Sequence, residues 1–278
     1  MKKILCMMMI MLIIVLGFVG CSDGETENED VIRVGIDLKF PPFSDIDEDG
    51  NPIGLEPTIA YAFGEFLGKE VEIVDTDFSM LIPALETGVV DILIADMART
   101  DERAKKVDFS DPYRYTYTLA LVNKDYALAN NITDEMSAED FFALEGNNFV
   151  GLAGTMGVLV PESFGREVTT VTEIGSGIME VVQGTHTSLV ASNEIHSFHS
   201  ANKESTIVYS GINQPHGSNF AVRLGDSALL KKANEFIASM HADGGLYDQI
   251  APEYDKVVGE FLGDMSLGLD YITTLPQE

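Results

Sequence analysis

The segment DILIADMARTDER, residues 91–103, joins an apolar run to a polar turn that ends at an arginine. The apolar run predicts a buried strand that ends near Ala95. Thr100 is a favourable first residue for a helix, so Arg103 would lie at the third helical position, beside backbone N–H groups that lack partners. An arginine at the positive end of a helix is a candidate site for a carboxylate. Pairing of Arg103 with a local acid such as Asp101 or Asp108 is the alternative.

This strand and turn belong to a longer alternation of strand-like and helix-like segments. Strands are predicted at 31–36, 71–74, 91–95, 115–122, 149–152, 188–191, 206–209 and 220–224, and helices at 58–67, 81–85, 138–144, 178–183, 194–200, 228–243 and 253–262. Such alternation is typical of α/β layers with largely parallel sheets. Ligand sites in such folds lie outside the carboxyl ends of strands, which is where segment 91–103 makes its turn.

Composition limits the classes of function. The chain has 278 residues, of which 45% are hydrophobic, and this permits two modest folded domains. Against 17 Lys and Arg residues stand 45 Asp and Glu residues, so the net charge is −28. Because a surface this acidic repels phosphate backbones, we expect no nucleic acid partner.

The N-terminus predicts export. Two lysines precede an apolar run at 4–19, which is shorter than the roughly 20 residues of a membrane-spanning helix. Cys21 follows this run, and residues 22–30 are polar and acidic. This order is typical of a signal peptide at 1–20 and a flexible tether at 21–30. The other cysteine, Cys6, would leave with the signal, so we expect neither thiol catalysis nor a cysteine-ligated zinc.

Two patterns could indicate metal binding, and we favour a structural interpretation of both. The spacing of an EF-hand calcium loop occurs at Asp45, Asp47, Asp49, Gly50 and Glu56. Prolines before and inside this loop oppose the helix that precedes a calcium loop, and its Asp-Gly pair favours a hairpin turn. His196 and His199 lie three apart on a predicted helix, without an evident third ligand. We therefore expect no metal and no cofactor.

Several motifs resemble those of one family. TDER at 100–103 and VDFSDPY at 107–113 are similar to the signature of amino-acid-binding proteins of ABC importers, the bacterial extracellular solute-binding protein family 3. Further similar stretches follow in register at 40–43, 54–56, 78–85 and 87–91. The resemblance is close over 31–124 and looser over 125–262, where the Gly-Thr pairs at 154–155 and 184–185 are the main markers.

The resemblance implies an α/β, two-lobed periplasmic-binding-protein-like fold, with a ligand cleft between the lobes and two hinge crossings. Its first lobe would comprise 31–114 and 219–262, its second lobe 118–214, its crossings 113–117 and 214–218, and its C-terminal tail 263–278. Proteins of this fold close about a hinge around their ligand.

The resemblance also implies the residues of the site. Arg103 would clamp the α-carboxylate of the ligand, and Glu194 would hold its α-ammonium. The other implied contacts can be grouped by position. Phe40 and Phe78 would wall the ligand side chain, and Asp37 would lie near the end of that side chain. Thr155 and Met156 would contribute from a turn of the second lobe, and Asp96 and Ala98 from the end of the strand.

Four positions of this chain depart from the family pattern, and three of them are among the implied site residues. The family has Gly or Ser where this chain has Asp96, and Ser or Thr where it has Ala98. It has a small residue at the position of Met156 and a common acid at the position of Leu189. These departures bear on the identity of the ligand more than on the class of protein.

The expected charges of the cleft predict the charge of the ligand. The acids are Asp37, Asp96 and Glu194, and the single expected cation is Arg103. Asp96 and Asp37 would lack partners unless Lys39 neutralises one of them, and an unpaired buried carboxylate is costly. We therefore predict a cationic or polar zwitterionic amino acid, or a related amine, over glutamate or aspartate.

Residues 18–21, FVGC, resemble the bacterial lipoprotein box, so Cys21 is the predicted site of lipid attachment. The protein would be anchored by lipid to the outer face of the cell membrane, or be periplasmic, and would serve an ABC importer permease as a monomer. A plain signal peptide or an uncleaved anchor is the alternative at this end. A ligand-sensing module without transport, or an enzyme with Asp96 and Glu194 as acid and base (a dehydratase or lyase), is the alternative function.

Overall fold

A computed structural model describes residues 30–212, 215–262 and 265–274. The predicted signal peptide, nearly all of the tether and Cys21 lie outside the described residues. Among the described residues, no helix combines the length and the apolar character that crossing a membrane requires.

Strands and helices alternate along the described residues. The strands are β1 (Val31–Ile36), β2 (Asp45–Ile46), β3 (Pro52–Ile53), β4 (Glu70–Asp75), β5 (Ile92–Ala98), β6 (Val107–Tyr117), β7 (Leu119–Asn123), β8 (Phe149–Leu152), β9 (Val168–Val171), β10 (Ser188–Ala191), β11 (Thr206–Tyr209) and β12 (Pro215–Arg223). The helices are α1 (Leu55–Leu67), α2 (Leu81–Glu86), α3 (Lys124–Ala129), α4 (Ala138–Ala143), α5 (Met156–Ser163), α6 (Ile174–Gln183), α7 (Ile195–Ala201), α8 (Ser227–Met240), α9 (Leu246–Leu262) and α10 (Leu269–Thr273).

Two mixed sheets organise these elements. The first has the order β4-β1-β5-β12-β6, and the second has the order β11-β7-β10-β8-β9. Strands β4, β1 and β5 are parallel, whereas β12 is antiparallel to both of its neighbours. In the second sheet, β10, β8 and β9 are parallel, and β7 is antiparallel to both of its neighbours, β10 and β11. Parallel pairing is therefore confined to three neighbouring strands of each sheet, so the expectation of largely parallel sheets holds only in part.

The chain passes between the sheets beside β6 and β12. Strand β6 ends at Tyr117 in the first sheet, and β7 begins two residues later in the second sheet. The buried residue between them is Thr118. The chain returns at Pro215, which pairs with Tyr117. The single strand predicted at 115–122 is thus wrong, because this run is divided between two sheets. The two sheets with their helices form the two-lobed fold, while the exact residue ranges of the lobes stay a prediction.

Each sheet has its own hydrophobic core. In the first lobe, Ile36, Ile59 and Phe63 pack from β1 and α1 against Phe220 of β12. In the second lobe, the core is built from a cluster of buried aromatic rings, Phe141, Phe142, Phe149 and Tyr209. The two sheets therefore have separate cores.

The predicted C-terminal tail contains a packed helix. Helix α10 buries Leu269 and Ile272 completely in the core of the first lobe. The Tyr271 ring stacks on Tyr117 with 5.7 Å between ring centroids. This helix therefore lies beside one of the crossings.

The acidic loop forms a hairpin, as we favoured from its Asp-Gly pair. Strands β2 and β3 pair antiparallel across it. The Asp47 carboxylate accepts the backbone N–H groups of Asp49 at 2.9 Å and Asn51 at 2.8 Å, which closes the turn. Glu56, the last residue of the calcium-loop pattern, points away from the loop and is 2% exposed. The loop acids therefore serve the turn.

Candidate functional site

All nine predicted ligand-contact residues line a single cleft between the two lobes. The cleft encloses about 670 Å³ including its mouth, which is open to solvent. The predicted residues that line it are Asp37, Phe40, Phe78, Asp96, Ala98, Arg103, Thr155, Met156 and Glu194. Further lining residues that the sequence did not predict include Phe43, Glu56, Arg114, Leu152, Ile174, Val190 and His216.

Sheet geometry explains why distant residues meet here. Asp37 follows β1, and Ala98 ends its parallel neighbour β5. Thr155 follows β8, and Glu194 follows its parallel neighbour β10. Because the carboxyl ends of parallel strands lie at one edge of a sheet, each lobe presents its functional residues at one edge. The cleft lies where these two edges face each other.

Arg103 lies in the cleft without the predicted helix. Residues Arg103–Lys105 form a single 3₁₀ turn, and β6 begins at Val107, which leaves no room for a helix. Thr100 still accepts the Arg103 N–H through its hydroxyl at 3.2 Å. The donors offered to a ligand are therefore those of the guanidinium, and the expected contribution of a helix dipole is wrong.

The Arg103 guanidinium joins the two lobes. Its Nη1 donates to the Ala98 carbonyl oxygen at 2.6 Å in the first lobe, and its Nη2 donates to the Gly154 carbonyl oxygen in the second. The guanidinium carbon lies 5.3 Å from the centroid of the Phe78 ring. Burial lowers the pKa of Arg103 to about 10, so the group stays charged at neutral pH. These acceptors are carbonyl oxygens, and Arg103 forms no ion pair with either local acid, Asp101 or Asp108.

A second buried arginine forms the floor of the cleft, and sequence reasoning missed it. Arg114 is 0% exposed and places Nη2 3.0 Å from Asp96 Oδ2 and 3.5 Å from Glu56 Oε1. Its Nη1 donates to the Thr116 hydroxyl at 3.1 Å, and its guanidinium lies 4.3 Å from the centroid of the Phe43 ring. Burial opposes the charged guanidinium, but the nearby carboxyl groups, Asp96 foremost, outweigh burial and raise the pKa of Arg114. Within the described part of the chain, the cleft is therefore lined by two arginines, Arg103 and Arg114.

Asp96 is a fully engaged carboxylate. Besides Arg114, it accepts the Thr116 hydroxyl at 3.2 Å and the Ser218 hydroxyl. Its backbone N–H donates to the Tyr113 hydroxyl at 3.1 Å. The φ angle of Asp96 is 47°, in the left-handed region that favours glycine and tolerates Asp. The prediction that Asp96 lacks a partner is wrong, because β6 and β12 bring a cation and two hydroxyl groups to it.

Glu194 lines the cleft with a buried carboxyl group. The residue is 6% exposed, and its Oε2 has no hydrogen-bond partner among the described residues. Burial, assisted by the negative charge of Asp96, raises the pKa of Glu194 to about 8, although Arg114 opposes the shift. Burial also raises the pKa of Glu56 to about 7. These carboxyl groups hold protons near neutral pH.

Asp37 presents a second oxygen without a hydrogen-bond partner among the described residues. Its Oδ2 accepts the backbone N–H of Phe78 at 2.9 Å, and its Oδ1 is the unpartnered atom. Burial raises the pKa of Asp37 to about 6. The suggested pairing of Lys39 with Asp37 is not formed. The Lys39 Nζ lies 2.5 Å from Asp77 Oδ1 and 3.6 Å from Glu173 Oε1 of the second lobe. Lys39 thus forms part of the rim.

The second lobe contributes a turn and an apolar wall. Thr155 caps α5 by accepting the Gly157 N–H at 3.2 Å. Met156 begins that helix, which was not predicted because it contains Pro161. Apolar side chains complete this wall at Leu152, Ile174 and Val190. Leu189, one of the departures from the family pattern, is buried in the core of the lobe and does not face the cleft.

No cluster of three metal-ligating side chains occurs among the residues that the structure describes. The Nδ1 atom of His199 lies 3.0 Å from the Thr206 hydroxyl. His196 lies edge-on to Phe261 with 6.3 Å between ring centroids. These contacts account for both histidines of the predicted helix.

Known proteins with similar sequences bind amino acids. The L-arginine-binding protein of Pseudomonas aeruginosa is 29% identical over 238 residues, which cover 80% of this chain and 87% of that protein. The L-cystine-binding protein TcyJ of Escherichia coli is 26% identical over 228 residues, which cover 77% of this chain and 79% of that protein.

Solved structures give the same result. An ancestral arginine-binding protein bound to arginine matches with a TM-score of 0.67 and 31% identity, over 80% of this chain and 96% of that one. The ancestral amino acid-binding protein AncCDT-1, a precursor of cyclohexadienyl dehydratase, matches with a TM-score of 0.66 and 31% identity, over 79% of this chain and 95% of that one. The family model of the bacterial extracellular solute-binding proteins, family 3, matches residues 32–255. The chain therefore belongs to the bacterial extracellular solute-binding proteins, family 3.

Proposed function

We propose that the protein captures a cationic or polar zwitterionic amino acid, or a related amine, in the cleft between its lobes. The observation that supports this most is that Arg103 and the unpartnered Oε2 of Glu194 line the same cleft. A carboxylate placed at the guanidinium and an ammonium placed at Glu194 would each gain a charged hydrogen-bonding partner. An α-amino acid carries both groups on one carbon.

The carboxylate would take the place of a carbonyl oxygen at Arg103. The guanidinium donates to the carbonyl oxygens of Ala98 and Gly154. Charged acceptors form hydrogen bonds roughly twice as strong as neutral ones, so a ligand carboxylate is preferred over either carbonyl. Since Gly154 belongs to the second lobe, this exchange would link ligand binding to the contact between lobes.

Two groups of the cleft favour a positive charge on the ligand side chain. Asp37 offers an unpartnered oxygen, and the Phe40 ring also lines the cleft, where a ring face attracts cations. The similarity to arginine-binding proteins agrees with this preference. Glutamate or aspartate would instead bring a second carboxylate toward Asp37.

We propose further that the protein is exported, is anchored by lipid at Cys21 and delivers its ligand to an ABC importer permease as a monomer. This part of the proposal is supported by the order of signal, cysteine and acidic tether in the sequence. Stable attachment needs a second anchoring signal besides one acyl chain, so the proposal requires more than a single acyl chain at this end of the protein.

Closure of the lobes would follow from ligand contacts in both. A ligand shifts such an equilibrium only by its difference in affinity for the two states. Small-angle scattering should therefore show a smaller radius of gyration when ligand is added. An unchanged radius at saturation would contradict hinge closure.

A thermal-shift panel tests the ligand class. Purified protein is heated with each of the common amino acids and with simple amines. A ligand present at about 100 times its dissociation constant should add about 2.7 kcal/mol to the free energy of unfolding. We expect stabilisation by cationic or polar zwitterionic members. Stabilisation by glutamate or aspartate alone would refute the proposed ligand class.

An enzyme on the same fold is the second candidate. It is favoured by Glu194, whose raised pKa leaves a protonated carboxyl group facing the cleft near neutral pH, as a general acid requires. Mass spectrometry of a ligand recovered after incubation distinguishes the two functions. Recovery of the ligand unchanged supports capture, whereas a product that has lost water or ammonia supports a lyase. A sensing module without transport would bind ligand equally well but would lack a permease and ATPase encoded nearby.

A further inference from the structure

The floor of the cleft has more buried negative groups than its cation can neutralise. Glu56 from α1 and Asp96 from β5 lie 3.5 Å and 3.0 Å from the Arg114 guanidinium. Glu194 from the second lobe contributes a third carboxyl group whose charge acts on the same guanidinium. Glu56, Arg114 and Glu194 are each at most 6% exposed. Leaving a buried charge without a partner costs several kcal/mol, so this cluster must retain protons.

Hydrogen bonding identifies the carboxyl group that retains a proton most readily. Asp96 is held by Arg114 and two hydroxyl groups. Glu56 accepts the Tyr113 hydroxyl at 2.8 Å and approaches Arg114. Glu194 has an oxygen with no partner among the described residues. Its charged form is therefore the least compensated of the three, and its raised pKa agrees with this order.

We propose that capture of an amino acid by this cleft is coupled to proton release, with Glu194 exchanging its proton for the ammonium group of the ligand. The proposal rests on the proposed function, because it uses the same cleft and the same ligand class. In the exchange, the neutral carboxyl group of Glu194 loses its proton to the solvent, and the ligand ammonium pairs with the resulting carboxylate. The buried charge of the cluster is thus balanced before and after binding, by a proton first and by an ammonium afterwards.

The neighbours of Glu194 fix the direction of the effect. Asp96 on β5 and Glu56 on α1 favour the protonated form, and Arg114 on β6 opposes it. His216 on β12 lines the same cleft. Helix α9, which packs against α7, brings the Phe261 ring to this helix. Burial of Glu194 and the charge of Asp96 together outweigh the opposing effect of Arg114, so the pKa of Glu194 is raised and the cluster favours the proton.

The coupling sets the pH dependence of affinity. Below the pKa of Glu194, which is about 8, the ligand must displace a proton. Affinity for the ligand should therefore fall by about tenfold for each unit by which the pH is lowered. As the pH rises toward 8, the carboxylate is already formed and affinity levels off. The protein would hold its ligand more tightly in neutral or alkaline surroundings than in acid.

Titration calorimetry with L-arginine at pH 7 tests the exchange. In two buffers with different ionisation enthalpies, the difference in binding enthalpy gives the number of protons released. We expect about one proton per ligand for the wild-type chain and essentially none for Glu194→Gln. Glu173→Gln is the matched control, since this glutamate lies on the rim near Lys39 and is 60% exposed. Equal release by the wild type and Glu194→Gln, or no release by the wild type, would overturn the proposal.

Infrared difference spectra decide the protonation state without any ligand. At pH 6.5, the wild-type chain should show the C=O band of a protonated carboxyl group that Glu194→Gln lacks. Identical carboxyl bands in the two proteins would show that Glu194 is already ionised and would overturn the proposal. If the band is present but no amino acid or amine binds, the proposed function fails while the protonated Glu194 stands.

Discussion

Replacing Arg103 by methionine removes the proposed carboxylate clamp while keeping a long side chain against Phe78. Arg103 is 9% exposed, so a ligand carboxylate at this position would be largely removed from water. Loss of one partner from a buried, hydrogen-bonded charge pair costs about 2–5 kcal/mol, much of it the penalty of leaving the other charge unpaired. At 1.4 kcal/mol for each factor of ten, the dissociation constant should rise roughly thirtyfold to several thousandfold.

Titration calorimetry of Arg103→Met with the best ligand of the thermal-shift panel measures this change. Arg166→Met is a closely matched control. Like Arg103, Arg166 donates to a backbone carbonyl and lies over an aromatic ring. Its Nη2 donates to the Asn147 carbonyl oxygen at 2.7 Å, and its guanidinium carbon lies 5.8 Å from the centroid of the Phe149 ring. Unlike Arg103, it does not line the cleft. The control should bind as the wild type does. Unchanged affinity in Arg103→Met, with the protein folded, would refute the role of Arg103 in ligand binding.

Three further changes test other parts of the account. Asp96→Asn removes the charge that pairs with Arg114 and should lower the free energy of unfolding, measured in urea, by about 3–5 kcal/mol. Asp77→Asn, the control in an exposed ion pair, should lower it by less than about 1 kcal/mol. Equal losses in the two variants would contradict the buried ion pair. Folding raises the pKa of Glu194 from 4.5 to about 8, so the folded state binds more protons than the unfolded state between these pH values. The free energy of unfolding, measured in urea, should therefore decline as the pH rises from about 4.5 to 8, and it should decline less in Glu194→Gln. Parallel pH profiles of the two proteins would contradict that assignment. Cys21→Ala should release the protein from the membrane fraction or leave its signal uncleaved, and a correctly trimmed, membrane-bound variant would rule out lipid attachment there.

The alternation of strands and helices could be predicted because apolar runs of the right length and period dominate it. Strand β1 and the core of β5 follow from such runs, as do β8, β10 and β11. Strand β9 was missed because its sequence, VTTV, has two exposed threonines and no apolar face. The break between β6 and β7 was missed because Thr118 continues the β-rich pattern on both sides, and only the pairing of Tyr117 with Pro215 separates the sheets.

The positions of the site residues could be predicted from family motifs, but their charge balance could not. Arg114 follows the recognised signature in the sequence. It comes to lie beside Asp96 only because β12 pairs with both β5, which carries Asp96, and β6, which carries Arg114. No spacing within the sequence indicates that contact, since the two residues lie on different strands. The helix predicted after Thr100 failed for a related reason: the residues after Arg103 are needed for β6, which spans Val107–Tyr117 and competes for the same segment.

The central claim is that the cleft captures a cationic or polar zwitterionic amino acid through Arg103 and Glu194. The most direct test is calorimetric titration of the purified protein at pH 8 with L-arginine, with the other members of the thermal-shift panel, and with L-glutamate and L-aspartate. We expect saturable binding of at least one cationic or polar zwitterionic amino acid or amine at one site per chain, and binding at least roughly thirtyfold weaker in Arg103→Met. Binding of glutamate or aspartate in place of every such ligand, or full binding by Arg103→Met, would contradict it.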